Sequence, residues 1–88
     1  MPYIKPERRN AINSGTIMPH TAGDLNYIVT RFINHYLGYV GISYEEINRV
    51  IGVLECAKLE LYRRIAAPYE DIKLEENGDV YQSNQTAE

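Results

Sequence analysis

SYEEINRVIGVLECAKLELYRRIAAP, residues 43–68, is the stretch whose reading decides the fold. Projected at about 100° per residue, Ile47, Val50, Ile51, Leu54, Ala57, Leu61 and Ile65 fall on one broad stripe of a single helix. The opposite side is also apolar or small: Gly52 and Cys56 lie four apart, Leu59 and Asn48 stand beside them, and Arg49 and Arg63 form the rim. A surface helix needs only one covered face. This one is expected to be covered from both sides, by its own chain and by another copy, with Asn48, Gly52, Cys56 and Leu59 as the candidate oligomer interface. Gly inside a helix costs about 1 kcal/mol relative to Ala, so a closely packed neighbour is expected to offset it.

Working outward, Ser43 followed by Glu46 forms a capping box, and Glu45 and Glu46 suit the positive end of the helix dipole. Upstream, Leu25, Ile28, Val29, Phe32, Ile33, Tyr36 and Leu37 recur at helical spacing, with polar residues between them. Thr21 or Asp24 caps that helix, and Gly38 is placed just past its end. The two helices, about 22–38 and 44–67, are joined by a short loop and predict an antiparallel hairpin. PERRNAIN, residues 6–13, predicts a short helix with Pro6 at its first position, ended by Ser14 and Gly15. The turn-rich SGTIMPH that follows is a surface connection. Pro68 stops the long helix or starts the next turn, and YEDIKLEENG adds a short acidic helix or extension ended by Gly78. QSNQTAE, residues 82–88, has no apolar anchor and is expected to be disordered. The fold class is therefore all-α, with one small helical domain over residues 1–81.

Eighty-eight residues make a small core, and small chains add disulfides, a metal or oligomerisation to become stable. One cysteine excludes an internal disulfide, and His20, His35 and Cys56 lack zinc-ligand spacing. Oligomerisation is what remains. The N-terminus has no apolar leader core, and no stretch approaches the roughly 18 apolar residues of a membrane span. The chain therefore reads as soluble and cytoplasmic. Residues 68–88 hold six acids against Lys73, whereas residues 1–67 hold eight bases against six acids. A nearly neutral body with an acidic end argues against general nucleic-acid binding.

The chemistry-bearing residues form no recognisable catalytic set. There is no nucleophile elbow, phosphate loop or zinc motif, so the chain is read as a binding protein without enzymatic activity or cofactor. Lys58 projects toward the apolar stripe, as a snorkelling lysine paired with Glu55 or a later carboxylate. The sharper alternative is an anion-binding lysine. Tyrosine supplies eight of the nine aromatics, interleaved near the helices with arginines. Such residues suit helix edges and interfaces. The competing reading is a nucleotide pocket between subunits, lined by Lys58, Tyr62, Arg63, Arg64, Tyr69 and Arg31. Glu45 with Arg49 and Glu60 with Arg64 are solvated helix pairs, and the acids from Glu70 to Asp79 lack calcium-loop spacing.

Four blocks carry a resemblance: MPYIKPERR, GDLNYIVTRFI, VIGVLECAKLELYRR and APYEDIKLEENGDVY. Together they resemble a group of small proteins encoded by bacteriophages and prophages, over about residues 1–81. The chain departs from that group between Asn13 and Thr21 and after Tyr81. The resemblance implies a phage setting and supplies no activity and no functional residues. The expectation is a phage-encoded accessory or anti-defence factor that engages a host or phage protein. The alternatives are an oligomeric sponge for a nucleotide signal and a minor virion component.

Overall fold

The structure, a computed structural model, describes residues 1–81. It is helical, with no strand among the described residues. The elements are α1 (Pro6–Asn13), α2 (Ala22–Val40), α3 (Tyr44–Leu61), a π-helical turn (Tyr62–Ala66) and α4 (Ala67–Asn77). The chain divides into two units, Met1–Val50 and Ile51–Glu88. Residues 82–88, expected to be disordered, lie outside the described residues.

In the first unit, α1 starts at Pro6, whose missing N–H falls where a helix has no acceptor for it. Ser14 closes it by donating its N–H to Asn10 O at 3.0 Å, and Gly15 then turns the chain at φ 79°. The N-terminal residues lie across the first turn of α2. A Cβ on Gly23 would sit 3.2 Å from the Ile4 Cγ2 methyl, so a glycine there admits that close approach. Thr21 is the N-cap of α2, and its hydroxyl accepts from Asp24 N at 3.0 Å.

Helix α2 runs two residues past the expected end. Gly38 lies inside it, and the terminating glycine is Gly41, at φ 90° with its N–H on Leu37 O at 2.8 Å. Each glycine fits a helix end by composition. Only Gly41 adopts the positive φ that an ordinary residue resists. At the start of α3, Glu46 N donates to Ser43 Oγ at 3.1 Å, which is half of the expected capping box. The Glu46 carboxylate instead accepts from Tyr36 at 2.8 Å and from Arg49 at 2.7 Å.

In the second unit Pro68, expected either to stop the long helix or to start the next turn, does the latter: it sits in the first turn of α4, which follows the preceding turn without a break. Proline in a helix loses one hydrogen bond and clashes with the carbonyl four residues back. Here the turn just before it is widened: Ala67 N donates to Tyr62 O, five residues back. This is one of the recognised ways of taking strain out of a helix near a proline. Tyr62 Oη donates to Glu70 at 2.8 Å and so spans the widened turn from one end to the other. Gly78, at φ 87°, ends α4 where expected.

The expected interior is the largest correction. The apolar stripe of α3 was read as packed against its own chain, but Ile47, Ile51, Leu54, Leu61 and Ile65 are exposed. Among the described residues only Ile12 and Asp24 are buried. Leu25 and Phe32, on the apolar side of α2, remain 58% and 64% exposed. The periodicity identified the helices correctly, but it cannot say whose surface covers them.

Candidate interaction surface

The best-built polar cluster lies in the first unit and was not singled out from the sequence. Asp24 has 0% exposure. Its carboxylate accepts from Arg8 Nε at 2.6 Å, Arg8 Nη2 at 2.7 Å and His20 N at 3.2 Å. The paired arginine hydrogen bonds hold its carboxyl well below the usual carboxylate range; burial opposes them, and the His20 amide and Thr21 add to them. The same pairing raises the Arg8 guanidinium. Arg8 Nη2 also donates to His20 Nε2 at 2.8 Å. That nitrogen must therefore accept, which leaves the ring proton on Nδ1, 3.1 Å from Met18 O.

Every oxygen of Asp24 is committed, and the group is sealed from solvent. It joins α1 to α2 and has no capacity left to bind a ligand or move a proton. Tyr27 adds a second link, donating to Asn13 Oδ1 at 2.8 Å. The signal for the cluster was present in the sequence as Arg8 and Asp24, but Asp24 also fits a helix cap and was read as one.

The sequence-predicted ligand residues fall mostly in the second unit. Lys58, Tyr62, Arg63, Arg64 and Tyr69 share its helical run, whereas Arg31 is exposed on α2 in the first unit. Lys58 pairs with Glu55 at 2.9 Å, which is the snorkelling arrangement. Arg63 pairs with Glu60 at 3.0 Å, Arg64 reaches the same carboxylate only at 3.9 Å, and Tyr62 is held by Glu70. Lys73 stands 5.7 Å from the centre of the Tyr69 ring. Lys58 and Arg63 are thus each held by a carboxylate of their own helical run.

The sequence-predicted interface residues are free in the chain. Asn48, Gly52, Cys56 and Leu59 are all exposed, and a Cβ on Gly52 would meet nothing within 4 Å. His35 is exposed as well, and with Asn34, Gly38 and Tyr39 it lines a shallow depression of ≈ 440 Å³. Among the described residues no group of three or more His, Cys, Asp or Glu is placed to hold a metal ion. Among the described residues no helix is long and apolar enough to cross a membrane.

The surface available for function is thus apolar and tyrosine-rich, with charges arranged in local pairs. A family model described as a domain of unknown function, DUF6899, matches residues 1–80. No curated protein and no solved structure matches the chain.

Proposed function

The chain belongs to the DUF6899 family, and from its own residues we propose that it is a small non-enzymatic binding protein that works as a homo-oligomer. It engages a partner protein as an accessory factor, in the phage-encoded, host-cytoplasmic setting that the sequence resemblance implies. The observation that carries this reading is exposed apolar surface. Residues such as Phe32, Leu54, Leu61 and Ile72 stand open on regular helices, and Ile65 on the π turn. The expected hairpin of α2 and α3 belongs to this proposal and is supported by the Tyr36–Glu46 hydrogen bond.

Native mass spectrometry of protein freshly purified from a host tests the reading. A closed oligomer without added mass supports it, and the immobilised oligomer should then retain one specific host or phage protein. A strictly monomeric chain at high concentration overturns it. An oligomer carrying a nucleotide-sized mass at each site would replace it with the sequestering alternative. That alternative requires Tyr62 to leave Glu70 and Arg63 to leave Glu60 for a phosphate, so it demands more of the residues than protein binding does.

A further inference from the structure

Along one face of its helical run the second unit carries Leu59, Arg63, the Ala66–Ala67 pair, Glu70 and Leu74, a series complementary to its own reverse. Its midpoint falls between Ala66 and Ala67, at the end of the π turn. Read outward from that point in both directions, Arg63 stands level with Glu70 and Leu59 with Leu74, at the three- and four-residue spacings that keep them on one side of the helix. Leu59 and Leu74 are 56% and 49% exposed, and nothing among the described residues covers them.

From this pattern, together with the uncovered apolar area, we infer that residues 58–75 pair antiparallel with the same residues of a second copy, about a two-fold axis between Ala66 and Ala67. The inference rests on the homo-oligomer reading and gives it a register. Two-fold symmetry makes each pair occur twice, so the one Arg63–Glu70 match becomes two in the dimer. A parallel pair would instead set Arg63 against Arg63 and Glu70 against Glu70, and like charges at one level oppose association. The alanines at the axis let the two backbones approach closely, as small residues at a helix crossing do. The seam is about 27 Å long at 1.5 Å per residue, with leucine pairs flanking the alanines on both sides.

The seam's Arg63 is now held only by a neighbour one turn away, Glu60, at an exposed site. Exposed pairs of this kind hold weakly and exchange readily for a partner in a less hydrated seam. The self-pairing accounts for the small residues at 66 and 67 and for the bias of bases before them and acids after them. An unrelated partner would give no reason for that reversed symmetry.

Cross-linking tests the register. In a Cys56→Ser background, the Leu59→Cys, Leu74→Cys variant is oxidised and its linked peptides are mapped by mass spectrometry. Within one chain the two positions are roughly 22 Å apart along the helix, far beyond the reach of a disulfide. A covalent dimer linked 59-to-74 is the expected result. Links of 59-to-59 or 74-to-74 overturn the antiparallel register. An oligomer without the 59-to-74 link overturns this inference and leaves the homo-oligomer intact, whereas a chain that is monomeric before oxidation removes both. A charge swap gives a second readout should the cysteine variant fold poorly. Arg63→Glu and Glu70→Arg are each expected to weaken association by about tenfold or more, and the double variant to recover to near wild-type. Failure of the double variant to recover, with helicity unchanged, overturns the inference.

Discussion

Arg8 of α1 grips Asp24 of α2 with two hydrogen bonds, at 2.6 and 2.7 Å, across sixteen residues of chain. The acceptor is buried and the donor half-buried. A buried carboxylate stripped of its partner is strongly destabilising, whereas an exposed ion pair contributes little. Asp24→Asn and Arg8→Ala should each lower the Tm by more than about 5 °C. The double variant should lose little more than either single one, because both remove the same interaction. Thermal unfolding followed by circular dichroism measures all three.

The same pair sets an acid limit. The Asp24 carboxyl is held below its ordinary value, so the folded chain keeps it ionised at pH values where the unfolded chain, near 3.9, takes up a proton. Its stabilising contribution is complete above that pH and is lost as the pH falls through the folded value. Tm should therefore be nearly level from about pH 5 upward with respect to this group, and should decline below about pH 4. In Asp24→Asn that part of the decline should be missing.

At the alkaline end two hydrogen-bonded tyrosines set a second limit. Tyr36 is raised by its hydrogen bond to Glu46, and Tyr62 by its hydrogen bond to Glu70, since each phenol would lose a donated bond and face a carboxylate on ionising. Their contribution is intact below the unfolded tyrosine value of about 10 and is lost as the pH rises through the folded values. Absorbance titration of tyrosinate should show a phase from these two above the usual tyrosine range. Tyr36→Phe combined with Tyr62→Phe should remove it.

Gly52 sits inside α3 with open space where a Cβ would lie. Gly52→Ala should gain about 1 kcal/mol of helix stability. It should leave the subunit count unchanged, because residue 52 falls outside the 58–75 seam. Chemical denaturation together with native mass spectrometry checks both parts.

The parts of this fold that were legible in the sequence are those decided within one or two turns. Thr21 and Ser43 as caps, Pro6 at a helix start and Gly78 at a helix end are local events, and each occurs where its chemistry places it. Gly38 and Gly41 could not be ranked, because the difference between them is a backbone angle rather than a side chain. Pro68 left two readings open for a related reason: its cost is a clash with an upstream carbonyl, and a turn that re-aims that carbonyl removes it. The Arg8–Asp24 link was missed because it joins positions that no helical spacing connects. Of the candidate ligand residues, the sequence showed the interleaving of Tyr62, Arg63 and Arg64 but not the carboxylates that each has taken.

The widened turn at Tyr62–Ala66 also has a bearing on length. In a regular helix, removing one residue rotates everything beyond it by about 100°, so each deletion between Ile47 and Leu61 would carry the downstream apolar positions to the wrong side. The π turn already holds one residue more than an α-helical turn of the same rise requires. It is thus the place in this helical run where the chain can lose a residue and stay continuous, by tightening from five-residue to four-residue closure. The segment acts as a phase adjuster, and related chains that differ in length by one residue along this run should carry the difference there.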